Sequence, residues 1–338
     1  MHLCAQNFWF RGVLRSRSYS IRLLACTLAF AFIGTATATA QEYPVRAIKI
    51  VVASPPGGGT DILGRLIAER LVAKWGQPAF VENRGGNAGN IGAEAVSKSA
   101  PDGYTILLVA QGALVINKNL YKKLSYDPES FVPVSLVAVT PAVLILNPKM
   151  PAQNLGELIA YAKINPNKLN YATQGVGTSA HLTAELFNSM AGVRTVHVPY
   201  RGTSPMLVDL ISGEVSMTFG ELATAGPYVR AGKLKVIAIA SETRSALAPE
   251  LPTLAEVLPG FTSITWWGMV APAGTPVSIA AKLSAAVTEA LKHPEVARRL
   301  SELSIEGIGG TPQDLVNFMR QERTLWGKVI RDTGASAD

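Results

Sequence analysis

From Tyr43 onward, short β-branched runs alternate with stretches whose apolar residues recur at helical spacing, a pattern that restricts the chain to mostly parallel sheet covered by helices. Residues 48–53 read as a buried strand. Ile62, Leu63, Leu66, Ile67 and Leu71 then mark one helix face, and Gly76 ends it. Residues 79–81, 104–110 and 136–140 are further strand candidates, with the glycine-rich stretch 85–92 and a helix among them. Asn147-Pro148 interrupts the apolar pattern, and a second series follows with strand candidates at 169–173, 195–198, 215–219 and 235–240. The fold class read from this is α/β, in two units. The tail is mainly helical over 279–291, 294–303 and 312–330, with Pro312 suited to a first helical turn behind Thr311. Residues 261–270 form another extended run. If the tail packs on the first unit, the chain crosses between units near 140–147 and again near 261–270, and two crossings make a hinge.

A chain of 338 residues has room for about two such units. With 48% hydrophobic and 16% charged residues, it is neither a disordered, a collagen-like nor a coiled-coil sequence. Its formal charge is +7, but four arginines and no acids fall in the first forty residues, so the remainder carries only +3. Nucleic acid is therefore not expected as a partner. Those forty residues read as a secretory signal peptide: a cationic stretch ending at Arg22, an apolar run over 23–34 and a small-residue tail over 35–40. Cleavage is expected after Ala38-Thr39-Ala40, because small residues fill the positions before the cut. The apolar run is too short for a spanning helix, which needs about twenty residues. Cys4 and Cys26 both lie in this segment, so the processed chain has no disulfide or thiol chemistry, as an oxidising compartment permits. Leu24-Ala25-Cys26 imitates a lipoprotein cleavage box, but its apolar stretch follows the cysteine instead of preceding it.

In open α/β sheets a ligand sits beyond the carboxyl ends of the strands. Two loops at such ends share a chemistry: Ser54-Pro55-Pro56-Gly57-Gly58-Gly59-Thr60-Asp61 and Gln174-Gly175-Val176-Gly177-Thr178-Ser179. Both lead into helices, where glycines allow close approach and free amide hydrogens with the positive helix end suit an anion. Each loop alone is equally a tight turn in which Thr60 or Ser179 caps its own helix. Facing one another, the two would grip a mono- or dicarboxylate from both sides. Ser54, Gly58, Gly59, Thr60, Asp61, Gly177, Thr178 and Ser179 form the candidate ligand-binding set, with Gln111 after the third strand candidate and Thr203 in Arg201-Gly202-Thr203-Ser204-Pro205. Arg201 beside it reads equally as a solvated surface charge. Glu221, after Gly220 at another strand end, would repel an anion unless it received a hydrogen bond from a ligand amine or hydroxyl, and so is a candidate for tuning specificity. Trp266 and Trp267, at the second crossing, read as hinge or core packing before a ligand wall.

Catalytic and cofactor readings find little support. The glycines lack the spacing of a dinucleotide or P-loop turn, and no G-x-S-x-G elbow occurs. His181, His197 and His293 are dispersed without metal-ligand spacing, so neither a metal nor another cofactor is expected. His181 and His197 read as packed or surface side chains. A secreted enzyme would have only Asp61 or Glu221 as a base in these loops, and the chain is read as a non-enzyme. A sensor presenting its closed form to a signalling protein would use the same binding chemistry.

Six stretches carry a resemblance: Tyr43-Pro44-Val45-Arg46-Ala47-Ile48, the run from Pro55 to Asp61, Val81-Glu82-Asn83-Arg84, Gly89-Asn90-Ile91-Gly92, Ala100-Pro101-Asp102-Gly103-Tyr104 and Trp267-Gly268-Met269-Val270-Ala271-Pro272-Ala273-Gly274-Thr275-Pro276. Together and in this order they resemble the Bug family, the extracytoplasmic solute receptors of tripartite tricarboxylate transporters. The resemblance implies a two-lobed periplasmic binding protein fold, type II-like, that closes on a small carboxylated solute. With the signal peptide read over 1–40, lobe one is expected over 41–143 and 265–338, and lobe two over 144–264. The resemblance further implies a carboxylate held by the 54–61 loop and by Gly177-Thr178-Ser179, often through ordered waters, in a periplasmic monomer that delivers its solute to membrane permease subunits. The sequence departs from the family at Gly220-Glu221, where many relatives carry Asp-Asn after the same Phe.

Overall fold

The computed structural model describes residues 42–244 and 248–337. The expected signal peptide and cleavage site lie outside the described residues.

The chain starts a first sheet with β1 (Ile48–Val52), α1 (Gly59–Trp75), β2 (Ala79–Asn83), α2 (Asn90–Ser97) and β3 (Thr105–Ala110). A single π-helical turn (Gly112–Ile116) and the short α3 (Asn117–Leu120) lead to β4 (Val132–Pro141). After Ala142 alone, β5 (Val143–Leu146) already belongs to a second sheet. That sheet is completed by α4 (Leu155–Ile164), β6 (Asn170–Thr173), α5 (Ser179–Ala191), β7 (Val196–Pro199), α6 (Thr203–Ser212), β8 (Met217–Gly220), α7 (Leu222–Arg230) and β9 (Lys235–Ile239). The chain then returns to the first sheet with β10 (Ile264–Ala271), α8 (Val277–Lys292), α9 (Pro294–Glu302), β11 (Glu306–Gly309) and α10 (Pro312–Thr333).

The strand orders are β11-β4-β10-β3-β1-β2 and β7-β6-β8-β5-β9. In each sheet three parallel strands are followed by one that arrives from the other lobe: β10 lies antiparallel between β3 and β4, and β5 antiparallel between β8 and β9. The two α/β lobes are thus tied by strands lent in both directions. The sheets are accordingly mixed and not mostly parallel, because a strand entering from across the hinge runs against its new neighbours. The second sheet also begins at Val143, ahead of the Asn147-Pro148 interruption. The hinge strands are bonded to each other: Ala142 N–H donates to Ser263 O (3.1 Å), Ser263 N–H to Ala240 O (2.8 Å) and Ala240 N–H to Ala142 O (2.7 Å).

Each lobe has its own core. Val51, Leu107, Leu114, Trp266, Leu315 and Trp326 are buried together in the first, while Leu144, Tyr171, Phe187, Phe219 and Phe261 are buried in the second. Side chains of this size stabilise the fold by roughly 1.5–3 kcal/mol each when fully removed from water. The tail helices α8 and α10 pack on β4, as the two-crossing reading requires. The loops after β1, β3, β6, β7 and β8 therefore all leave carboxyl ends of strands.

Candidate functional site

No side chain caps α1, whose N-cap is Gly58. The Thr60 hydroxyl instead accepts the indole N–H of Trp267 at 2.9 Å. Gly59 has no room for a side chain, since a Cβ there would lie 2.9 Å from a Glu221 carboxylate oxygen and 2.9 Å from the Trp267 ring. Asp61 holds the loop in shape by accepting from Gly57 N–H (3.0 Å), Asn83 Nδ2 (2.9 Å) and Arg65 Nε (3.1 Å). Burial opposes its ionisation, but Arg65, the Gly57 amide and Asn83 together hold its carboxyl below the ordinary value. The Ser54 carbonyl accepts from Asn83 Nδ2 at 3.1 Å, and its hydroxyl turns to Pro55 O at 3.3 Å.

The 175–179 loop spends several of its own donors. Gly177 N–H donates to His181 Nδ1 (3.3 Å), and the Thr178 hydroxyl donates to Gly175 O (2.8 Å) while accepting His181 N–H as the N-cap of α5. Capping thus falls to Thr178 and not to Ser179, whose hydroxyl lies 3.2 Å from that of Thr265. Gly177, at φ 85°, sits against Asn117 and Tyr121 of the first lobe, and Tyr121 Oη–H donates to Val176 O at 3.1 Å. His181 stacks on His197 with centroids 4.4 Å apart. Burial pushes both imidazoles down to about 4, His197 adding to the effect on His181, so both are neutral near pH 7. Among the described residues no three His, Cys, Asp or Glu side chains gather as a metal site.

Gln111 is fully buried. Its Oε1 accepts from Trp266 N–H at 3.0 Å, and its Nε2 has no hydrogen-bond partner. The Thr203 hydroxyl also has none among the described residues, and Arg201 is exposed. Gly202, at φ 128°, brings this loop against Pro55, whose Cγ would lie 3.1 Å from a Cβ.

The sequence reading treats the two loops as a facing pair, yet what joins them is β10. Three consecutive residues of that strand meet three predicted site residues: Thr265 meets Ser179, Trp266 meets Gln111, and Trp267 meets Thr60. The tandem tryptophans read as hinge packing are also the struts of the cleft. Behind them Glu322 of α10 accepts from Trp266 Nε1 (2.7 Å) and Trp326 Nε1 (2.9 Å). Sequence reasoning also missed Asn90 and Asn117, which are buried and bonded to each other (2.6 Å), while Asn90 Nδ2 and Asn117 Oδ1 have no partner. Their one signal was the Gly89-Asn90-Ile91-Gly92 stretch. Two surface cavities, one of about 290 Å³ along α10 and one of about 540 Å³ along α8, touch none of these loops.

The family model described as the tripartite tricarboxylate transporter family receptor matches residues 63–335. The chain belongs to this family. The receptor is 37% identical over 303 residues to protein BugT of Bordetella pertussis, with 89% of this chain and 93% of BugT covered. Among solved structures, Rpa4515 of R. palustris with adipate superimposes with a TM-score of 0.84 at 36% identity, covering 87% of the receptor and 99% of Rpa4515. MatC of Rhodopseudomonas palustris with bound malate gives 0.79 at 34% identity, covering 85% and 100%. The periplasmic binding protein BugD gives 0.82 at 33% identity, covering 87% and 99%.

Proposed function

We propose that this receptor captures a small mono- or dicarboxylate in the periplasm, between a lobe formed by 41–143 with 265–338 and a lobe formed by 144–264, and delivers it unchanged to membrane permease subunits. The observation that carries the reading is the first turn of α1, which no side chain caps and which lies against a loop of the opposite lobe. Backbone N–H groups there, with the positive helix end, suit a carboxylate. In this reading the unpartnered Gln111 amide and Thr203 hydroxyl supply further donors, and Ser54, Gly58, Gly59, Thr60 and Ser179 complete the site. Gly177 and Thr178 act by shaping the second loop, since their donors are engaged within it. Asp61 orders the first loop through Gly57. Adipate in Rpa4515 and malate in MatC support the solute class.

Charge-assisted hydrogen bonds contribute roughly 1.5–3 kcal/mol each, so a few of them reach micromolar affinity, about 8 kcal/mol. A thermal-shift panel of mono- and dicarboxylates, adipate and malate included, tests the proposal. At about a hundred times its dissociation constant, a true ligand stabilises the protein by about 2.7 kcal/mol and raises the melting temperature. No shift with any acid at millimolar concentration overturns the reading.

A further inference from the structure

We propose that Glu221 meets the bound solute as an undissociated carboxylic acid and donates its proton to a solute carboxylate, so that capture at alkaline pH, where the free receptor has lost that proton, takes up one. This rests on the reading of the cleft as a carboxylate site. Glu221 is the N-cap residue of α7, but its side chain does not cap that helix. It reaches the other lobe, where a carboxylate oxygen lies beside Gly59 at the start of α1 and the Trp267 ring closes against the same point. A solute carboxylate drawn to that helix end would stand next to the Glu221 carboxyl. Two carboxylates at such range cannot both stay ionised away from water, and they resolve the conflict by sharing a proton.

Among the described residues no cation stands by to resolve it otherwise. The Glu221 carboxyl has no hydrogen-bond partner among the described residues. Asp61 and Arg65 on α1 are paired with each other, and β5, β8 and β10 carry no titratable side chain. Tyr171 of β6 is bonded to Glu185 of α5, His181 and His197 are neutral, and Arg201 is turned to solvent. On its own helix, Tyr228 and Arg230 lie near the far end. Glu221 is partly buried, and its desolvation in the cleft pushes the carboxyl up to about 7, so the proton is available near neutral pH.

The test is calorimetric titration with adipate and with malate from about pH 6 to about pH 8.5, where both acids are largely dianions. It is run in buffers of different ionisation heat, on the native sequence and on Glu221→Gln. The native receptor is expected to bind with constant affinity below about pH 7, weaken up to about tenfold per pH unit above it, and take up close to one proton per solute at high pH. Glu221→Gln keeps an N–H donor and is expected to bind with neither pH slope nor proton uptake. Affinity that rises with pH, which an ionised Glu221 receiving an amine or hydroxyl would produce, overturns the proposal, as does an equal slope in both proteins. Binding that is flat in pH in the native receptor overturns it while leaving the carboxylate reading intact, whereas no binding of either acid at any pH together with a silent thermal panel removes both.

Discussion

Thr60 couples the stability of the cleft to its chemistry. Its oxygen accepts the buried Trp267 N–H, so its own proton is left for a ligand or for the backbone. Thr60→Val keeps the shape and removes the acceptor, leaving the indole N–H of Trp267, a residue only 1% exposed, without a partner. We expect a loss of about 1–3 kcal/mol in urea denaturation, with Thr60→Ser close to the native protein. Equal stability of the valine variant would mean that the Trp267 bond contributes nothing. The sequence identified Thr60 as a site residue on glycine context alone. The partner of its hydroxyl lies 207 positions away and leaves no local signal. Gln111 is a similar case, since its value lies in one satisfied and one unsatisfied amide atom, which only packing reveals.

Among the elements, α5 and β7 together carry the clearest pH dependence, His181 on the one and His197 on the other. His181 and His197 have folded values near 4 against about 6.5 in the unfolded chain, so below pH 6.5 the unfolded state binds protons that the folded state refuses. Stability is therefore full above pH 6.5 and falls as pH drops towards 4, by at most about 3 kcal/mol per histidine. Denaturant midpoints measured across that window should show the fall, and His197→Gln should blunt it. A flat profile would contradict the buried stack. Most elements were legible because their period survives in the residues: β1, β3 and β9 fall within a residue or so of the runs read as strands, and α8, α9 and α10 within a few. Two strands were not. β5 follows β4 after a single residue and falls in the stretch 140–147 read as the crossing between units, although it is already a strand of the second sheet. β11, Glu-Gly-Ile-Gly at the sheet edge, has the composition of a turn and forms only because β4 offers it a partner.

At the scale of the whole molecule, two lobes approach through residues chosen for having little side chain. A Cβ on Gly112 would lie 2.8 Å from Gly177 O, Gly177 sits on Asn117, and Gly202 on Pro55. The π-turn that presents Gly112 is a rare local distortion of the kind found at functional positions. Hinge strands bonded through Ala142, Ser263 and Ala240 let the lobes swing without breaking either sheet, in keeping with closure around a ligand. Legibility at this scale was partial: the residue pattern implied two units and two crossings, but lobe-to-lobe contacts depend on pairs such as Gly59 with Glu221 that no periodicity marks. The crystal structure of the receptor grown with adipate tests the central claim most directly. A carboxylate group is expected between the lobes, its oxygens within hydrogen-bond distance of backbone amides at the start of α1 and of the Glu221 carboxyl. Adipate bound elsewhere, with the first turn of α1 and Glu221 touching no solute oxygen, would contradict it.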